Sequence, residues 1–112
     1  MFGRNAIPEV SAAEVASDAI LIDVREPEEW AAGHVDGSTH LPMMEIPGRI
    51  GEIPHDGDVV IVCRSGHRSA NVVLYLMNQG WDNLRNLEGG LHEWAAAGRA
   101  LVTEDGRGGR VI

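Results

Sequence analysis

Cysteine is almost absent from this chain: Cys63 is the only one among 112 residues. A lone cysteine excludes an intramolecular disulfide and any Cys-x-x-Cys redox or zinc pair, and it is compatible with a reducing compartment. Basic residues are scarce too, nine against seventeen acidic ones, giving a formal net charge of -8. That balance argues against nucleic acid or an anionic membrane surface as the partner. No apolar run approaches membrane-spanning length, and Met1 to Val10 lacks the apolar centre of a signal peptide, so a cytoplasmic location is expected. The histidines have neither ligand-like spacing nor cysteine partners, so no metal and no cofactor are expected. Aromatic residues are few, and Trp30, Trp81 and Trp94 are expected to pack the core rather than stack a substrate. No internal repeat is visible.

What the chain does contain is an alternation of short apolar runs and helical patterns. Its length suits one domain. A short strand is expected at Ile7 to Val10, and Ser11-Ala12-Ala13-Glu14 matches a capping box opening a helix that runs to about Ala16. Ala19-Ile20-Leu21-Ile22 reads as a strand buried on both faces, with Asp23, Val24 and Arg25 at its C-terminal end. Glu26-Pro27-Glu28-Glu29-Trp30 suits the start of a helix, because proline is tolerated in a first turn and acidic residues match the positive end of the dipole; Gly33 ends it. A short strand at Ser38 to Leu41 and a broken helical stretch from Met43 to Ile53, interrupted by Pro47 and Gly48, follow. Val59 to Val62 is the central strand, and a helix beginning near Ser69 places Ala70, Val73, Leu74 and Met77 on one apolar face. A strand at Trp81 to Leu87, a tight loop at Glu88-Gly89-Gly90 and a helix from Leu91 to Ala97 complete a small α/β domain with a mainly parallel sheet. Thr103 to Ile112 is glycine-rich and charged and reads as a flexible tail outside a domain spanning residues 5 to 102.

The chemistry concentrates at Cys63-Arg64-Ser65-Gly66-His67-Arg68-Ser69, between the central strand and the helix after it. Open α/β sheets place ligands outside the carboxyl ends of their strands, where this loop lies. If residues 64 to 68 wrap the thiol, backbone N–H groups and the helix N-terminus favour negative charge on the sulfur. Arg64 and Arg68 add cations, so thiolate is the expected form at neutral pH. Gly66 supplies a residue able to adopt positive φ in mid-loop. A buried cysteine acting as a small hydrophobe is the plain alternative. The six polar or glycine residues that follow Cys63 are poor core material, which favours function.

Three separated stretches together resemble a rhodanese domain. They are Leu21 to Trp30 (LIDVREPEEW), Gly33 to Pro42 (GHVDGSTHLP), and Cys63 to Ser69 followed by Leu87-Glu88-Gly89-Gly90 and Trp94. The resemblance spans residues 5 to 102 and implies a parallel five-stranded sheet with helices on both faces. It implies a sulfurtransferase in which the loop cysteine takes the outer sulfur of a donor such as thiosulfate, becomes a persulfide, and passes that sulfur to cyanide, a small thiol or a protein thiol. Cys63 matches that nucleophile, and the N–H groups of Arg64, Ser65, Gly66, His67 and Arg68 would hold the persulfide charge. Arg64 is expected to bind the anionic donor, while Arg68 either does the same or turns away to pair with a carboxylate. Asp23, Arg25, Glu29 and Ser69 are candidates to support the loop; for the charged three, a strand-end ion pair is the plainer reading.

Two other functions compete. A cysteine phosphatase or arsenate reductase is the rival enzyme, because the fold implied also resembles that of dual-specificity phosphatases, but only four residues separate Cys63 from Arg68, a tighter cradle than a phosphate needs, and no aspartic general acid stands out. A non-enzymatic module that binds a partner or senses persulfide is the other; loss of the loop cysteine would have marked it, and Cys63 is present.

Overall fold

Val59-Val60-Ile61-Val62 is buried at every position, and the domain is layered around it. The computed structural model describes residues 7–112. The expected domain start at residue 5, and most of the segment read for a leader, lie outside the described residues. Five parallel strands form one sheet: β1 (Glu9–Ser11), β2 (Ile20–Asp23), β3 (Thr39–His40), β4 (Val59–Val62) and β5 (Leu84–Glu88), in the order β1-β5-β4-β2-β3. Among the described residues there are three α-helices, α1 (Pro27–Ala32) between β2 and β3, α2 (His67–Asn78) between β4 and β5, and α3 (Gly90–Ala96) after β5. β-Branched residues suit the centre of such a sheet because both faces are covered.

The side chains of β4 alternate between two cores. Val59, Ile61 and Cys63 pack with Ile22, Val72, Val73 and Leu76 on the α2 side. Val60 and Val62 pack with Val10, Leu21, Leu87, Leu91 and Trp94 on the α3 side. Complete burial of one valine or isoleucine contributes about 1.5–3 kcal/mol, so this strand is a major share of the folding energy. The register sets Asp23 opposite Val62, and Val24 N–H donates to the Val62 carbonyl, so the C-terminal ends of β2 and β4 lie side by side.

Several local expectations change. The helix after Ser11 is one 3-10 turn, Ala12–Glu14, and Ser11 Oγ donates to the Glu14 carboxylate rather than capping the turn. Ser11 is the last residue of β1, so its backbone belongs to the sheet. The capping box forms instead at α1: the Glu26 side chain accepts from the third helical residue, while Glu29 Oε1 accepts the Glu26 N–H at 3.0 Å. The region from Met43 to Ile53 becomes two 3-10 segments, Met43–Glu45 and Pro47–Glu52. α2 begins at His67, two residues earlier than expected, and its buried face is Ser69, Val72, Val73 and Leu76. Leu74 is exposed, so the expected apolar stripe was one position out of phase. β5 starts at Leu84 rather than Trp81; Trp81 instead closes the core, its Nε1–H shared between the Ile53 and Pro54 carbonyls. Trp94 is buried as expected, whereas half-buried Trp30 stacks between His34 and His40.

Residues 103–112 also depart from the expected loose tail. Val102 bridges both His34 and Gly108, Gly109 N–H donates to the Leu101 carbonyl, and Arg110 N–H donates to the Ala32 carbonyl. Glycine here permits contact. A Cβ on Gly33 would lie 2.4 Å from Arg110 N, and one on Gly109 would lie 2.6 Å from Gly33 Cα. Among the described residues, no helix is long and apolar enough to cross a membrane.

An ion pair with no access to water braces the same sheet edge. Arg25 is 0% exposed and Asp23 1%. Arg25 Nε and Nη2 donate to the Asp23 carboxylate at 2.9 and 2.8 Å, and Nη2 also donates to the Gly33 carbonyl at 2.7 Å. The Arg25 backbone N–H adds a further bond to Asp23 Oδ1. Removing one member of such a pair strands the other charge. Asp23→Ala is therefore expected to lower stability by about 3–5 kcal/mol in urea unfolding, and Asp23→Ala with Arg25→Met to recover part of that loss.

Candidate active site

The loop that leaves β4 turns back on itself because Gly66 adopts φ 100°, a left-handed conformation that other residues avoid. A Cβ there would also press on Gly89 N at 3.2 Å. That turn aims the start of α2 at the cysteine. Cys63 Sγ accepts from Gly66 N–H at 3.0 Å, from Ser69 N–H at 3.4 Å, and lies 3.1 Å from the Ser69 hydroxyl. Ser69 contributes through both backbone and side chain only because α2 begins two residues before the position expected. Its N–H is one of the first-turn donors with no partner inside the helix.

Carbonyls of the loop are drawn the other way. Leu91 N–H donates to the Cys63 carbonyl at 2.9 Å and His92 N–H to the Arg64 carbonyl at 3.1 Å, both from the first turn of α3. Gly89 and Gly90, at φ 76° and 62°, allow this approach; a Cβ on Gly90 would meet Arg64 C at 2.5 Å. The negative ends of these peptide dipoles are thus satisfied at α3, away from Sγ. What faces the sulfur is N–H and hydroxyl. These are fixed hydrogen-bond donors, and Cys63 is 1% exposed, so little water competes with them for Sγ.

Of the other residues singled out in the sequence, Arg64, Ser65 and His67 are exposed around the loop. Arg64 Nε donates to the Ile112 carbonyl at 2.8 Å. Arg68 turns to α1, where its two terminal nitrogens bond Glu29 Oε1 and Oε2 at 2.7 and 2.9 Å. Arg25 donates both to the Asp23 carboxylate and to the Gly33 carbonyl. They shape the edge beneath the loop.

Sequence reasoning missed Asn86. It sits in β5, 1% exposed, with Oδ1 2.5 Å from Ser69 Oγ and Nδ2 donating to Glu9 Oε2 and the Gly66 carbonyl. A polar residue inside the run Leu84 to Leu87 was the available signal, because a buried amide requires partners. Ser69 is named in the sequence as a support for the loop, but the phase error on α2 left it off the buried face, where it meets Asn86.

The Glu29–Arg68 pair carries a pH signature. Arg68 hydrogen bonds, with help from the Glu26 N–H, hold the Glu29 carboxyl down at about 2, against the pull of partial burial. A carboxyl lowered in the folded state stabilises above its unfolded value and loses that contribution as pH falls toward the folded value. Glu29→Gln is therefore expected to cost about 2 kcal/mol near neutral pH. The difference from wild type should shrink between pH ~4.5 and pH ~2, as followed by urea unfolding across pH.

Known proteins resemble this chain over most of its length. Residues 8–97 match the rhodanese-like domain family. The chain is 47% identical over 89 residues to a protein named sulfurtransferase from Allochromatium vinosum, covering 80% of this chain and 83% of that one. It is 34% identical over 87 residues to thiosulfate sulfurtransferase GlpE of Stutzerimonas stutzeri, covering 78% and 80% of the two chains. Among solved structures, a rhodanese-related protein from Thermoplasma volcanium superposes with TM-score 0.80 at 29% identity, covering 87% of this chain and 99% of that one. The parallel five-stranded sheet, the loop after its central strand and these similarities together assign the chain to the rhodanese-like domain family.

Proposed function

We propose that this protein is a sulfurtransferase that carries sulfane sulfur on Cys63, taking it from thiosulfate or a persulfide and delivering it to cyanide or a thiol. The observation that carries the reading is the set of donors on Sγ, two backbone N–H groups and one hydroxyl at the N-terminus of α2. The similarity to proteins named sulfurtransferase and thiosulfate sulfurtransferase supports it.

The chemistry follows from that environment. The Cys63 thiolate attacks the outer sulfur of thiosulfate; the new S–S bond forms as the old one breaks, and sulfite departs with the electron pair. The persulfide's charge then sits on the added sulfur, one bond length further into the loop. First-turn N–H groups of α2 provide fixed dipoles there, placed before the charge arrives. An acceptor nucleophile then attacks the added sulfur and Cys63 leaves as thiolate. Every step moves an electron pair between sulfur and nucleophile, which one activated cysteine can manage.

Arg64 is the cation we assign to the donor. It is exposed beside Cys63, and its Nε contact with the Ile112 carbonyl leaves the terminal guanidinium nitrogens to meet a sulfonate. Arg68 is assigned a structural role, because both its terminal nitrogens are bonded to Glu29. The same commitment weighs against phosphatase chemistry, which needs that guanidinium on the phosphate.

Incubating the protein with thiosulfate, removing excess donor and weighing the intact chain tests the reading directly. One added sulfur atom is expected on wild type and none on Cys63→Ala, with cyanide restoring the original mass and releasing thiocyanate. Wild type that gains no sulfur from thiosulfate or from a persulfide donor would overturn it. Arg64→Ala is expected to raise KM for thiosulfate roughly tenfold with a smaller change in kcat, in steady-state thiocyanate assays, the size of one lost charge-assisted contact.

A further inference from the structure

One hydroxyl hydrogen serves two acceptors beside Cys63. Ser69 Oγ lies 3.1 Å from Cys63 Sγ and 2.5 Å from Asn86 Oδ1, and all three residues are buried. The amide of Asn86 has one sensible orientation. Its Nδ2 donates to Glu9 Oε2 at 3.0 Å and to the Gly66 carbonyl at 3.2 Å, and exchanging its oxygen and nitrogen would set Oδ1 against two acceptors. Asn86 Oδ1 is therefore held toward Ser69 as an acceptor, and a hydroxyl with one hydrogen can fully satisfy only one side. Other charged or titratable groups near this triad are Arg64 and His67 on the loop side, Arg68 with its partner Glu29, Glu9 behind the amide, and Glu88 of β5, which lines the same cavity as Asn86, His67 and Glu9.

We propose that Asn86 is a positioning residue for sulfur transfer: it competes with Cys63 for the Ser69 hydroxyl hydrogen, so that the hydrogen follows the charge on Sγ. The role rests on the sulfurtransferase reading above. When Sγ is a thiolate, the charge-assisted bond wins and the hydroxyl faces sulfur. After the donor's sulfur is added, charge resides on that outer atom and Sγ is an uncharged, two-bonded sulfur, so the hydroxyl returns to Oδ1. During discharge the acceptor forms a bond to the outer sulfur, the S–S bond breaks, and its electron pair returns to Sγ. The hydroxyl swings back as that charge develops and donates a hydrogen bond without giving up its proton. With cyanide the products are thiocyanate and thiolate, conserving two negative charges. A better-stabilised thiolate leaves faster, so the device acts chiefly on discharge.

Competition makes a prediction that simple propping of the loop does not. Cys63 is the only cysteine, so its rate of alkylation by iodoacetamide against pH reports its ionisation alone. Ser69→Ala is expected to shift the midpoint up by about one pH unit, the size of a hydrogen bond to a charged group, and Ser69→Thr to restore it. Asn86→Leu frees the hydroxyl for sulfur and is expected to shift the midpoint down. The double variant should match Ser69→Ala. An Asn86→Leu midpoint that stays put or moves up, in protein whose circular dichroism matches wild type, would overturn the competition.

If Asn86→Leu does not fold, the side-chain carbonyl carbon resonance of Asn86 decides in intact protein. It is expected to move with the Cys63 titration in wild type and to ignore it in Ser69→Ala; indifference in wild type overturns the proposal. None of these measurements needs a sulfur donor, so they stand even where persulfide loading fails and the functional reading falls. Where loading succeeds, Ser69→Ala is expected to slow cyanide discharge of the persulfide about tenfold, with a smaller effect on loading.

Discussion

A thiol at the end of a doubly buried strand has almost no water to solvate a negative charge, and the surroundings of Cys63 replace that water with fixed donors. Two helix N-termini divide the task. α2 turns its N–H groups toward Sγ, while α3 takes up the carbonyls of Cys63 and Arg64 that would otherwise face the same space. The loop is thereby polarised, donors inward and acceptors outward. Unpaired backbone groups are costly when buried, so this division is also what allows so polar a loop to sit against the sheet.

Glycine does two different jobs in achieving this. At Gly66 it supplies the positive φ that reverses the loop. At Gly90, and at the Gly33–Gly109 crossing, it removes a side chain where backbones touch. The second job is easily mistaken for flexibility in a sequence. Thr103 to Ile112 looks loose by composition, yet its glycines let the segment cross Gly33, and Arg110 and Ile112 bond Ala32 and Arg64. Gly33 joins that crossing to the buried ion pair, because its carbonyl receives Arg25 Nη2.

Much of this architecture was legible in the residues. The alternation of short apolar runs with helical patterns gave the α/β class, and Val59 to Val62 stood out as the strand covered on both faces. Cys63 and Gly66 stood out because polar or glycine residues after a buried strand are poor core material. Other features depend on phase and partners. An error of one position on α2 exposes Leu74, buries Ser69 and decides whether that hydroxyl reaches sulfur. The pairing of Arg68 with Glu29 crosses thirty-nine positions of chain and is invisible to local pattern. Asn86 was hidden because its meaning lies in four neighbours from three other parts of the fold, Ser69, Gly66, Glu9 and, through the hydroxyl, Cys63.

The two cores on either side of β4 are distinguished by odd and even residue number, with Val59, Ile61 and Cys63 on one side and Val60 and Val62 on the other. The thiol lies beneath α2 through parity alone. An insertion or deletion of one residue in this strand would keep its composition, its hydrophobicity and its place in the sheet, yet rotate the sulfur toward the helix whose N–H groups are already spent on carbonyls. Sequence variation along β4 is thus constrained in count far more strictly than in kind. Valine and isoleucine can exchange there at modest cost, whereas the number of residues between Val59 and Cys63 works as a reading frame for the site.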